Sequence, residues 1–147
     1  MKFFIALVSY TLSLQIYSSI DSFFPLNEPT SSNYGNTGII ELPSARFMDE
    51  GTLKFGYSSS YPNEFTFISA SPFSWLEATY RYTEVKNLLY GPSFFSGNQT
   101  WKDKGFDIKL LLKRETYYSP SIALGMRDIA GTGAFSSEYL VTSKQIG

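Results

Sequence analysis

The chain has no cysteine and no histidine. The first absence removes disulfide frameworks and thiolate metal sites, and the second removes the commonest general base and zinc ligand. Neither zinc chemistry nor a Ser-His-Asp triad can be assembled from these 147 residues. An excess of one charge is also missing. Twelve Lys and Arg against 13 Asp and Glu leave a net charge of -1, so bulk electrostatics give no reason to expect nucleic acid or an anionic surface as a partner. Long apolar runs are scarce. Residues 1–17 form one, with a single Lys at its start and Ser, Thr and Gln interrupting it. It is too short and too polar for a membrane span and suits a signal-peptide core, with a buried N-terminal helix as the alternative. Cleavage is expected near Ser18 or Ser19, with the mature chain beginning near Asp21. No Cys follows the run, so anchoring through a lipidated N-terminal cysteine is not expected.

Aromatic residues are plentiful. Phe (13) and Tyr (11) carry most of an 18% aromatic content, which is rich for a soluble domain and familiar in proteins with aromatic girdles at membrane interfaces. The hydrophobic share of 43% would also suffice for the core of one ordinary domain.

Residues 75–84, WLEATYRYTE, organise the rest. At a period of two, Leu76, Ala78, Tyr80 and Tyr82 share one face, while Glu77, Thr79, Arg81 and Thr83 share the other. Such a strand suits a position between lipid and a wet interior. Five further segments alternate in the same way: 52–60, 64–71, 106–115, 121–127 and 138–144. In the last, Tyr139, Val141 and Ser143 oppose Glu138, Leu140, Thr142 and Lys144, and the second set is read as the polar side. Residues 64–71 are less tidy, with Phe65 and Phe67 opposite Thr66, Ile68 and Ala70. Connections at 72–74 and 116–120 are tight, whereas 85–105 and 128–137 are longer, as a meander across a membrane requires.

The fold expected is therefore all-β: an antiparallel meander forming part of a transmembrane β-barrel, behind a signal peptide (1–19) and an irregular periplasmic leader (20–50), with strands over 51–147. Six strands fall short of the roughly eight of the smallest common membrane barrels, so the chain is expected to be the N-terminal part of a longer protein. Within the leader, Ser44 is a candidate cap for one helical turn, and Arg46 is either a structurally paired arginine or a lumen contact.

A set of ordered motifs adds to this. Residues 38–46 (GIIELPSAR), 50–53 (EGTL), 75–78 (WLEA), 81–84 (RYTE), 102–107 (KDKGFD), 125–129 (GMRDI), 131–133 (GTG) and 137–140 (SEYL) together resemble the YjbH family of outer-membrane proteins. The resemblance runs from about Gly38 to the C-terminus and makes Pro43, Arg46, Gly51, Asp128, Gly131 and Gly133 family-motif candidates. It implies an outer-membrane β-barrel of a Gram-negative bacterium, associated with exopolysaccharide and capsule production, with no established catalytic step.

The site residues expected from the alternation are a lumen wall: Glu77, Arg81, Lys109, Lys113, Arg127, Glu138 and Lys144. These charges either solubilise a lumen and pair across strands, or line a path for a hydrated polysaccharide with Tyr and Trp rings stacking on sugars. On the second reading, joint alanine replacement of Arg81 and Arg127 lowers surface polysaccharide while assembly stays normal. Glu77 with Glu138 is weighed as a glycosidase-like acid/base pair. Gly131-Thr132-Gly133 lacks the ending of a phosphate loop and reads as a strand-linking loop. No catalytic residue, metal site or cofactor is expected. The partners expected are the outer-membrane bilayer, polysaccharide and export-machinery proteins, and not nucleic acid. A general porin and a soluble periplasmic β-sandwich that binds carbohydrate are the alternatives. Charge at Ala78 or Tyr80 should impair membrane assembly, and charge at Thr79 should be tolerated.

Overall fold

The computed structural model describes residues 29–145. The signal peptide expected over 1–19 and the first part of the leader lie outside them. Eight strands follow in order: β1 (Gly38–Ile39), β2 (Leu42–Pro43), β3 (Thr52–Ser60), β4 (Asn63–Phe73), β5 (Leu76–Leu89), β6 (Thr100–Lys113), β7 (Ser121–Arg127) and β8 (Ser137–Ser143), with a one-turn helix α1 (Ser93–Ser96) between β5 and β6. Among the described residues β1 and β2 pair only with each other, and β3 to β8 form one antiparallel sheet in sequence order. The sheet is open along β3 and β8. No helix among the described residues is long and apolar enough to cross a membrane.

The alternating segments become strands because each pairs with its neighbour in a register that keeps one kind of side chain on one face. On the first face the rows across the sheet read Leu53, Ala70, Ala78, Ile108, Met126; then Phe55, Ile68, Tyr80, Phe106; then Leu76, Leu110, Leu124, Leu140. On the second face they read Glu77, Lys109, Gly125, Tyr139; then Gly56, Phe67, Arg81, Gly105; then Ser58, Phe65, Thr83, Asp103. Burial is inverted relative to a water-soluble sheet. Phe55 is 86% exposed and Leu140 65%, while Arg81 is fully buried and Glu77 and Lys109 are 1% exposed. Burying charge while exposing a contiguous apolar face is the unusual and informative pairing.

What buries the polar face is the segment expected to be an irregular periplasmic leader. Residues 30–48 lie across it as a strap. Gly35 O accepts from Ser69 Oγ of β4 at 2.7 Å, and Asn36 Nδ2 donates to the Tyr139 hydroxyl of β8 at 3.2 Å. Ala45 N–H donates to Ser143 Oγ of β8, and Ala45 O accepts from Ser121 Oγ of β7, both at 2.9 Å. Gly51, in the left-handed region at φ 81°, then turns the chain into β3.

The inner rows alternate small and large. A Cβ on Gly56 would stand 2.6 Å from the Phe67 ring, and one on Gly105 would stand 2.8 Å from Arg81 Nη2. Glycines at these positions let large side chains fold over the neighbouring strand, a device that also permits curvature in a sheet. Two sequence expectations change here, and a third reading gains its facing. Residues 85–105 are not mainly a loop, because β5 and β6 continue as a hairpin to Leu89 and Thr100. Ser44 caps no helix; its Oγ accepts from Arg46 N–H at 3.3 Å in an irregular stretch. Phe65 and Phe67 face the covered side, since their register partners are Thr83 and Arg81.

Candidate functional site

The centre of the covered face is an ion pair closed by the strap. Glu77 on β5 and Lys109 on β6 are direct cross-strand partners, with Lys109 Nζ 3.1 Å from Glu77 Oε2. Thr37 completes the carboxylate: its N–H donates to Oε1 at 2.5 Å and its hydroxyl to Oε2 at 2.6 Å. Lys109 Nζ donates in turn to Thr37 O at 3.2 Å and Arg46 O at 2.9 Å, and it lies 4.5 Å from the centre of the Phe47 ring. A charge pair this deep is tolerable only when its remaining donors and acceptors are met, and here strap backbone meets them.

A second cluster lies one row away. The Arg81 guanidinium sits between the Tyr34 and Phe135 rings, 5.2 Å from each centre, with Nη2 3.4 Å from Asp107 Oδ1. Aromatic faces favour a desolvated cation. Arg127 covers the other side of the cluster, 4.1 Å from the Tyr34 ring centre and 5.5 Å from that of Tyr139, and donates to Glu41 O at 3.2 Å. Asp128 follows β7 in a left-handed conformation, φ 56°, which aspartate tolerates better than most residues. Its N–H donates to Asp107 Oδ1 at 2.8 Å, and its Oδ2 accepts from Phe135 N–H at 3.2 Å. The loop that carries Phe135 is thus tied back over Arg81. Gly131 is required because a Cβ there would overlap Asp128 Oδ1 and Lys104 O.

A third, exposed clasp holds the end of the strap at the turn between β6 and β7. Glu115 pairs with Arg46 and with Lys144, whose Nζ is 3.4 Å away, and accepts from Gln145 N–H at 2.7 Å. The Gln145 hydrogen bond leads in holding the Glu115 carboxyl below its ordinary range, with both cations adding to it.

Of the seven expected wall residues, the structure brings Glu77, Arg81, Lys109 and Arg127 together on the covered face. It moves the other three. A register shift between Leu111 and Lys113 pairs Lys113 with Ile122 and leaves it exposed. Glu138 stands on the opposite face, opposite Met126, because Tyr139 is the residue that folds over Gly125. Glu77 and Glu138 therefore lie on opposite faces of the sheet and form no acid/base pair. Lys144 follows β8 and donates to Thr116 O and Tyr117 O at 2.6 and 2.9 Å. Nor is joint replacement of Arg81 and Arg127 a neutral probe, since Arg81 compensates buried Asp107. Thr79 is 1% exposed and hydrogen-bonded to Ser69 at 2.7 Å, so a charge there has no room.

The motif residues have structural places: Pro43 opposite Gly38, Arg46 in the clasp, Gly51 and Gly133 at left-handed positions, Asp128 and Gly131 at the β7 corner. The Gly131–Gly133 loop joins strands, with the Thr132 hydroxyl donating to Asp103 Oδ1 at 2.7 Å. Asp103 and Asp107 were absent from the expected wall although the alternation through Lys109 reaches both. Tyr34, Thr37 and Phe135 carried no periodic signal. Among the described residues, no group of three or more acidic side chains is arranged to hold a metal ion.

Comparison with known proteins agrees with the motifs. The family profile described as exopolysaccharide biosynthesis protein YbjH matches residues 30–147. The chain is also 45% identical over 120 residues to a protein of Escherichia coli (strain K12) named "Uncharacterized lipoprotein YjbH". That alignment covers 81% of this chain and 17% of the relative, so the chain spans about a sixth of that protein's length. No solved structure matches.

Proposed function

Because the chain belongs to the YjbH exopolysaccharide biosynthesis family, we propose that its six-stranded sheet is part of the wall of an outer-membrane β-barrel. In this reading the protein assists production or export of an extracellular polysaccharide, catalyses no step itself, and reaches the membrane by way of a cleaved signal peptide. One observation carries the proposal: the apolar face of the sheet is bare, while its charged face is buried under residues 30–48. In water such a face would need a second layer packed on it, whereas against lipid it needs none. Antiparallel strands with apolar-out, polar-in alternation are the form in which β-structure satisfies its backbone in lipid. The relative's printed name, a lipoprotein, also favours a membrane of the cell envelope.

The band dimensions support the reading. β5 has 14 residues; at about 3.3 Å per residue it runs roughly 43 Å along the strand, which at the ~35–45° tilt of barrel strands is about 30–35 Å of height, enough to cross the ~25 Å apolar band. At one end the Phe73 and Trp75 rings stack with centres 5.5 Å apart, beside a two-residue turn. The opposite end carries longer connections, 90–99 and 128–136, which the proposal places outside the cell. Because Glu77, Arg81 and Lys109 lie under the strap, their role here is to hold it, and a polymer would touch them only with the strap displaced.

The test is the amount of surface polysaccharide in cells lacking the full-length protein and in cells resupplied with it. The proposal expects loss of polymer and recovery on resupply, and no cleavage of isolated polymer by purified protein. Unchanged polymer in the deleted cells would remove the polysaccharide role.

A further inference from the structure

The apolar face ends in a change of row. Past Phe55, Ile68, Tyr80 and Phe106 comes Tyr57, Thr66, Tyr82 and Lys104, and past that Ser59, Glu64, Glu84 and Lys102. Lys86 lies one step beyond, held by Glu64 at 3.0 Å and Glu84 at 3.2 Å. Glu84 is further engaged by the Thr100 hydroxyl. Lys102 and Lys104 differ from Lys86. Both are exposed, both point to the apolar side of the sheet, and neither is within ion-pair distance of a carboxylate among the described residues. Two residues apart on one strand, they stand about 7 Å from each other. The Lys104 stem starts beside its cross-strand partner Tyr82, the geometry in which a lysine lays its methylenes on apolar surface and lifts its amine to the boundary.

We propose that Lys102 and Lys104 form a docking site for a phosphate-bearing lipid headgroup at the outer rim of the apolar band. The inference rests on the barrel reading and names one of that surface's ligands. The acyl chains would lie along Tyr80, Phe106 and Ile108, and the two ammonium groups would meet phosphate where those chains end. The overall charge of -1 hides this, because the cations are local to one strand; Glu84, the cross-strand partner of Lys102, is within its electrostatic reach but is bonded to Lys86 and the Thr100 hydroxyl.

The experiment uses the full-length protein reconstituted in phosphatidylcholine nanodiscs, titrated with diphosphoryl lipid A, with the same lipid after dephosphorylation, and with inorganic phosphate. Wild type should retain the phosphorylated lipid, and the double variant K102Q/K104Q should lose roughly an order of magnitude in retention. K102R/K104R should keep it, and if the double glutamine variant assembles poorly, K104Q alone should show a smaller loss in the same direction. Inorganic phosphate should not compete at millimolar concentration. Equal retention by wild type and K102Q/K104Q, equal retention of dephosphorylated lipid, or loss in the arginine variant would overturn the site. Failure of wild type to enter the bilayer would overturn the barrel reading and this site together, whereas insertion without phosphate preference would overturn the site alone.

Discussion

Replacing Glu77 with alanine should destabilise the folded protein by about 3–5 kcal/mol, the usual cost of stranding one member of a buried pair. Lys109 would keep its charge in a place 1% exposed, facing two carbonyls and the Phe47 ring, with no carboxylate. Thr37 would lose the acceptor for both its N–H and its hydroxyl, so the middle of the strap would come free. Lys109→Met should cost a similar amount by stranding Glu77. Joint replacement by Glu77→Leu and Lys109→Met should cost less than the two single changes added, because removing both charges removes the desolvation penalty along with the attraction. Urea unfolding of the detergent-folded protein reads the stability, and limited proteolysis within residues 30–48 reads the strap. Single variants that each lose less than about 1 kcal/mol, the range of an exposed pair, would mean that the strap does not close this site.

The second large effect is on the bare face. Ala78 sits in the middle of the row Leu53, Ala70, Ala78, Ile108, Met126. An Ala78→Arg substitution should cost about 2–4 kcal/mol if that row meets the bilayer midplane, and Ser59→Lys at the rim about 0–1 kcal/mol. On the surface of a water-soluble sheet both changes would be nearly silent, within about 0.5 kcal/mol. The measured quantity is the fraction of protein assembled in the outer membrane in its heat-modifiable form. Full assembly of the Ala78→Arg variant would take the lipid away from this face.

The strand array was largely open to reading from residue order, because each strand repeats a period of two that no helix shares. β3 and β7 have the bounds that alternation alone draws. Polarity failed as a guide to facing where an aromatic residue belongs inside. Phe67 over Gly56 and Tyr139 over Gly125 are placed by a missing Cβ on the next strand, a cross-strand fact that one strand's pattern does not contain. Tyr139 in turn sends Glu138 to the other face. Lys113 was lost to a register shift, which alternation cannot announce. Least legible was the strap: Tyr34 and Thr37 belong to a stretch with no periodicity, and their partners on the sheet lie more than 30 residues away in sequence. The charged wall read as a wet lumen because its residues are polar, yet strap backbone and the Thr37 hydroxyl lie against Glu77 and Lys109, and aromatic rings flank Arg81.

The central claim is that one face of β5 meets lipid and the other meets the strap. The chain has no cysteine, so once any cysteine elsewhere in the full-length protein is replaced, single cysteines at 78, 80 and 82, and at 79 and 83, can each carry a fluorophore in the membrane-inserted protein. Quenching by lipid-borne nitroxide should be strong at 78, 80 and 82, and weak or unlabelled at 79 and 83. Equal quenching along the strand, or quenching strongest at 79 and 83, would contradict it.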